Sequence, residues 1–247
     1  KGGVGKTTTA INLAASLAVA ERRVLLVDFD PQANATSGVG VEKNGSGVYQ
    51  AIIAETDMLP ILKDTELPFL KIAPSSRDLI GAEVELIDEM AREFRLKERL
   101  VVLTGKFDYI FIDCPPSLSL LTVNALVAAD SVIIPLQCEY YALEGISEIL
   151  KTIQLVKTKL NPNLEIEGIL LTMFDSRNRL AHQVVEEIRN HFKDKTFKTM
   201  IPRNVRLSES PSFGKPVILY DVNSSGAVSY MELAKEIVLN GKRASHN

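Results

Sequence analysis

Lys1-Gly2-Gly3-Val4-Gly5-Lys6-Thr7-Thr8 constrains the fold more than any other stretch of this 247-residue chain. Three glycines let the backbone turn its N–H groups inward around a polyphosphate without interference from Cβ atoms. Lys6 can reach the β and γ phosphates as a point charge, and Thr7 can offer its hydroxyl to Mg2+. The helix that follows aims its positive end at the anion. The cluster predicts a nucleoside triphosphate site built from Gly2, Gly3, Val4, Gly5, Lys6, Thr7 and Thr8, with Mg2+ as the metal. A glycine turn beside a solvated lysine would leave the coincidence of Gly5, Lys6 and Thr7 unexplained. Lys1 adds a second positive charge that a single nucleotide does not need, and points to a dimer. The usual pattern, G-x-x-x-x-G-K-[ST], would place its first glycine one residue before Lys1. A strand normally leads into such a loop, so the first strand is expected to be missing from this chain, which reads as truncated at its N-terminus.

The rest of the chain repeats one theme. Residues 7–20 carry apolar side chains at helical spacing, and Val24-Leu25-Leu26-Val27 is a continuous apolar run closed by Asp28, as in a parallel strand buried on both faces. Similar runs recur at 70–73, 109–112, 132–134, 169–171 and 198–201. Helical segments are expected between them at 79–103, 118–129, 143–160, 181–192 and 227–239. Alternation of this kind predicts an α/β fold with a doubly wound, mostly parallel sheet and helices on both faces, a P-loop NTPase architecture forming one domain over 1–247. Ligands of such sheets bind beyond the carboxyl ends of the strands, where Asp28, Asp113, Gln137 and Thr172 are expected.

Two acidic stretches complete the site. Phe107 to Asp113 reads as a strand ending in a carboxylate, and Asp113 is the acid expected to hold Mg2+ opposite Thr7, through its water shell. Pro115-Pro116 stiffens the loop that follows, and Ser117 is expected to cap the next helix. Asp28-Phe29-Asp30-Pro31-Gln32 places two carboxylates just past another strand. Asp30, lying beyond the strand end, is the better placed to orient or deprotonate an attacking water, leaving Asp28 to support magnesium or the loop.

Bulk properties exclude several classes. The chain is 46% hydrophobic and 24% charged, ordinary values for a globular protein. No run approaches the roughly 20 apolar residues of a membrane span and no signal peptide is visible, so a cytoplasmic location is expected. Cys114 and Cys138 lie in neither disulfide nor zinc spacing and read as buried thiols. His182, His191 and His246 are scattered, without ligand-spaced companions. Net charge is −3, yet residues 177–215 hold nine basic against four acidic residues, which predicts a basic face on an acidic body unless the charges are simply solvated.

The motifs at Lys1 to Thr8, Asp28 to Thr36 and Asp113-Cys114-Pro115-Pro116-Ser117 resemble the deviant Walker-A ATPases. The nearest branch is the ParA/Soj chromosome and plasmid partition proteins. Gln137 to Gly145 and Ile201 to Glu209 extend the similarity over nearly the whole chain. The resemblance implies an ATP-sandwich homodimer in which Lys1 crosses to the partner's phosphates. It implies catalytic roles for Lys1, Lys6 and Asp30, the magnesium-side role of Asp113, and an adenine-side loop containing Pro202 and Asn204. It places Arg177 and Arg206 where the family binds double-stranded DNA without sequence preference, at the nucleoid, and it implies a ParB-like centromere-binding partner that stimulates hydrolysis. The sequence departs from the family at Glu21, where a glycine-led turn is more usual, and at Ala33, where glycine is frequent. A membrane-associated division-site ATPase of the MinD type is the alternative. It would need the stripe Tyr230, Leu233, Ala234, Ile237 and Val238 to lie on lipid, whereas that stripe reads as core and no membrane is expected. An iron–sulfur bridge like that of the nitrogenase iron protein is disfavoured by the placement of the two cysteines.

Overall fold

Burial of Val24 to Val27 on both faces organises the chain: all four side chains are fully buried, with Val24 and Leu26 facing one apolar cluster and Leu25 and Val27 facing another. The structure, a computed structural model, describes residues 2–139 and 142–244. The strands are β1 (Val24–Asp28), β2 (Lys63–Asp64), β3 (Leu70–Ala73), β4 (Tyr109–Asp113), β5 (Ser131–Gln137) and β6 (Glu165–Thr172). Four form a sheet in the order β2-β3-β1-β4, parallel except for β2 at its edge, and β5 and β6 form a parallel pair. The parallel register sets Asp28 opposite Asp113, so both carboxylates leave the sheet at the same edge.

Helices cover both faces, as the alternation predicts. On one side the helix Lys6–Val19 packs against the carboxyl-terminal helix Ser225–Ala244, with Thr9 and Tyr230 sharing a buried hydroxyl–hydroxyl hydrogen bond of 3.1 Å. Tyr230, Leu233, Ala234 and Ile237 are buried there, so the stripe is part of the core. Opposite lie the short helices 48–52, 79–85 and 95–100 together with Leu120–Ala128. Ala142–Lys159 and Arg179–Phe192 flank the β5–β6 pair. Among the described residues no helix is long and apolar enough to cross a membrane.

Three sequence expectations need correction. The helix expected over 79–103 is broken into Leu79–Glu85, a 3-10 turn at Arg92–Phe94, Arg95–Leu100 and a second 3-10 turn at Val101–Leu103. The first helix stops at Glu85, and Ala91, at φ 53° in the left-handed region, leads into the 3-10 turn, where Asn124 donates to the Arg92 carbonyl and accepts from Leu96 N–H. The segment 198–201 follows β6 without becoming a strand. Lys198 and Thr199 give their N–H groups to the Glu236 carboxylate, leaving only single bridges at Thr196 and Pro202. Ser119 rather than Ser117 precedes the helix Leu120–Ala128, and the Ser117 carbonyl instead accepts from the Thr122 hydroxyl.

Candidate nucleotide site

The glycine-rich loop ends at the helix Lys6–Val19, and its conformation explains its composition. Gly3 and Gly5 adopt φ of 79° and 91°, the left-handed region that side chains avoid. No side-chain cap occupies the start of this 14-residue helix, so its first N–H groups point towards the loop with no capping oxygen. Thr172, at the end of β6, donates its hydroxyl to the Val4 carbonyl at 2.9 Å and fixes the loop from the far side of the sheet edge. Asn12 anchors it from behind. Its amide nitrogen donates to the Thr8 carbonyl and its oxygen accepts from Val217 N–H, at 2.8 and 2.7 Å. Lys1 lies outside the described residues.

Asp113 is 2% exposed, and its Oδ2 is a buried oxygen without a hydrogen-bond partner among the described residues. Burial, reinforced by the neighbouring charges of Asp28 and Asp30, pushes its carboxyl up to about 7, while a hydrogen bond from the Thr7 side chain and the charge of Lys6 act in the opposite direction. Lys6, Thr7, Asp30 and Asp113 thus meet in one place. An orphaned carboxylate oxygen beside a threonine hydroxyl fits a hydrated divalent cation, which would restore the charge that burial disfavours.

Asp28 is otherwise engaged. Its Oδ2 accepts from Thr36 N–H at 2.7 Å and from the Thr36 hydroxyl at 2.6 Å, and its Oδ1 accepts from Asp30 N–H at 3.3 Å. Burial raises its carboxyl to about 6 against these hydrogen bonds. Both oxygens accept hydrogen bonds from the loop that follows β1. Asp30 is 7% exposed and its Oδ1 accepts from Gln32 N–H at 2.9 Å. Cys138 is buried as expected, whereas Cys114, next to Asp113, is only half-buried; desolvation still pushes its thiol up to about 12, too high for thiolate chemistry.

Pro202 and Asn204 reach the same edge through backbone hydrogen bonds between Phe174 and the residues Ile201 and Arg203. The Asn204 side chain is already employed, accepting from Leu207 N–H and donating to the Ser225 hydroxyl. Arg177 and Arg206 occupy exposed positions. Arg177 forms a two-pronged ion pair with Asp175, which holds that carboxyl down at about 2. Arg206 pairs with Glu209 at 2.9 Å and Asp221 at 3.2 Å. Asp175 and Asp221 lie just outside the basic segment, so a charge count over 177–215 overstates the local positive field.

The sequence reading passed over Thr36, Asn12 and Ser75. Asn12 had a signal, a polar residue within an apolar helical stripe. Thr36 closes the Asp28 to Thr36 motif and so had a signal, whereas Ser75 had none, because its partner lies 39 residues away.

A model of the AAA domain matches residues 1–166. The chromosome partitioning protein ParA of Myxococcus xanthus (strain DK1622) is 61% identical over 240 residues, covering 96% of this chain and 85% of that protein. The sporulation initiation inhibitor protein Soj of Bacillus subtilis (strain 168) is 56% identical over 243 residues, covering 98% and 96%. Among solved structures, cobyrinic acid a,c-diamide synthase from Mycobacterium smegmatis with bound ADP and magnesium superposes with a TM-score of 0.85 at 36% identity, over 98% of this chain and 92% of that one.

Proposed function

The chain belongs to the ParA/Soj family of partition ATPases, and from that premise we propose that residues 1–247 act as one ATPase domain, an ATP-gated and Mg2+-dependent DNA-binding switch. The observation that carries this reading is the buried, unpartnered Oδ2 of Asp113 beside Thr7 and Lys6, with Asp30 close enough to contribute to the same electrostatic environment. Gly2 to Thr8 would cradle the phosphates through backbone N–H groups, with Lys6 countering their charge. Thr7 and Asp113 would hold Mg2+, which when bound neutralises charge on the phosphates. Asp30 orients the attacking water and accepts its proton. The water oxygen bonds to the γ-phosphorus as the bridge to the β-phosphate breaks, releasing ADP and phosphate.

Two copies are proposed to enclose two ATP molecules, each Lys1 offsetting the repulsion between opposed phosphates. Pro202 and Asn204 are proposed to lie beside the adenine. Arg177 and Arg206 are proposed to bind DNA phosphates, and pairing two such faces in a dimer strengthens a contact that one copy makes weakly. Their ion pairs with carboxylates are exposed and exchangeable, which suits phosphate binding without base readout. A ParB-like protein is proposed to stimulate hydrolysis and so release the complex from the nucleoid.

Phosphate release with Mg2+ and with EDTA, measured beside DNA co-sedimentation in ATP and in ADP, tests this reading. Turnover that requires Mg2+, with ATP-dependent DNA retention that falls steeply with salt, is expected. Equal DNA binding in ADP overturns the switch, and turnover indifferent to EDTA overturns the magnesium role.

A further inference from the structure

Thr36 is hydrogen-bonded through both its backbone and its side chain near the phosphate edge, and neither ATP nor magnesium chemistry calls for it directly. It is fully buried, and every polar group it owns is committed. Its N–H and hydroxyl both donate to Asp28 Oδ2, at 2.7 and 2.6 Å. Its hydroxyl oxygen accepts from Ser75 N–H at 3.0 Å, just beyond the end of β3. Its carbonyl accepts from the N–H groups of Val39 and Val41. One threonine thereby joins the ends of β1 and β3 to the loop that follows β1.

The consequence falls on Asp30. That residue lies past the end of β1 in irregular backbone, where no strand partner fixes it. Its N–H donates to Asp28 Oδ1, the oxygen that Thr36 leaves open. A carboxylate pinned on one oxygen by two donors cannot rotate freely, so its other oxygen becomes a fixed acceptor for the next residue but one. The order of dependence is Ser75 N–H to the Thr36 hydroxyl, Thr36 to Asp28, and Asp28 to the Asp30 backbone. We infer that Thr36 is a positioning residue for ATP hydrolysis, acting through Asp28 to hold the carboxylate of Asp30 where water is activated. The inference rests on the reading of Asp30 given above.

Its chemistry predicts which substitutions matter. Valine keeps the shape of threonine but removes the hydroxyl, leaving the backbone N–H as the remaining Thr36 donor to Asp28 and leaving Ser75 N–H without an acceptor. Serine keeps the hydroxyl and loses only a methyl group. A positioning role separates these two, whereas a packing role would penalise serine more than valine.

The experiment is steady-state phosphate release by the full chain with Mg2+, ATP and DNA, comparing wild type, Thr36→Val, Thr36→Ser and Asp30→Ala. Thr36→Val is expected to lower kcat about tenfold with KM for ATP within about twofold, because a misplaced water-orienting group costs turnover and not ground-state binding. Thr36→Ser is expected to keep at least half of the wild-type kcat. Should Thr36→Val fail to fold, Thr36→Cys, of similar size with a weak donor, takes its place and is expected to fall between serine and valine. Asp30→Ala inactive with Thr36→Val fully active overturns the role of Thr36 while sparing that of Asp30. Asp30→Ala fully active overturns the reading of Asp30 and this inference with it. Thr36→Ser as impaired as Thr36→Val also overturns the inference, since the hydroxyl would then not be the determinant.

Discussion

The phosphate edge and the arginine surface of this molecule are built on opposite principles. At the phosphate edge, Asp28, Asp30, Asp113 and Thr36 are each less than a tenth exposed, and their positions follow from strand register and buried hydrogen bonds. At the arginine surface, Arg177 is 87% exposed and is held by Asp175, two residues away in the chain, while Arg206 is held by Glu209 and Asp221. Buried polar networks are costly to disturb because each lost partner leaves a desolvated group. Exposed ion pairs contribute little and can be traded for other partners. The difference teaches where each half of the proposed ATP-gated DNA switch has to be rigid: chemistry needs fixed oxygens, and phosphate-backbone contact needs accessible charge.

The sharpest way to break this contrast is at Asp30. Asp30→Ala is expected to lower turnover at least about 100-fold with ATP still bound, as measured by phosphate release and by nucleotide affinity. Unchanged turnover would remove the chemical half of the comparison. Asp113 gives the next largest effect, and it carries a pH signature. Burial in the fold raises the carboxyls of Asp28 to about 6 and Asp113 to about 7 from the ordinary 3.8, so between these limits the folded state binds more protons than the unfolded one. The ligand-free protein is therefore expected to lose stability as pH rises from 4 through 7. Asp113→Asn is expected to flatten that decline and to gain on the order of 2 kcal/mol at pH 8, while losing stabilisation by Mg2+ with ATP; urea unfolding across pH checks both.

On the arginine side the expected effects are smaller and of another kind. Arg177→Ala or Arg206→Ala is expected to reduce the slope of log affinity against log salt for DNA by about 1, with the unfolding midpoint and basal phosphate release unchanged. A change in stability instead would make these arginines part of the scaffold. The smallest expected effects are backbone ones. Glu21 and Ala33, the two positions where the family resemblance leads one to expect glycine, both adopt left-handed backbone, with φ of 58° and 53°. Glu21 closes the helix Lys6–Val19, with Arg22 N–H reaching back to the Leu17 carbonyl. Glu21→Gly and Ala33→Gly are each expected to stabilise the chain by about 0.5–1 kcal/mol in thermal unfolding, relief of strain exceeding the added chain entropy.

Much of the fold was legible because apolar runs between turn residues have few alternatives. Val24 to Val27 could only be a doubly buried strand, and Asp28 and Asp113 at the ends of such runs had to share an edge. Where the reading failed, a tertiary partner decided the local structure. Asn124 holds the backbone where helical structure resumes after Ala91, and Glu236 takes the Lys198 and Thr199 N–H groups from the expected strand 198–201. Thr36 closes a motif visible in the sequence, but its link to Ser75, 39 residues away, exists only in the folded chain. The charge reading of 177–215 was right about composition and incomplete about surface, because Asp175 and Asp221 sit outside that window and pair with arginines inside it.

Because the rigid edge is proposed to time the accessible surface, the decisive measurement follows both halves at once. Wild type and Asp30→Ala are loaded with Mg2+ and ATP on immobilised DNA, and protein release is recorded beside phosphate release. Wild-type protein is expected to leave the DNA as phosphate appears, with Asp30→Ala staying bound for as long as ATP remains intact. Release of both proteins at the same rate, with no phosphate from Asp30→Ala, would contradict hydrolysis as the event that frees the DNA.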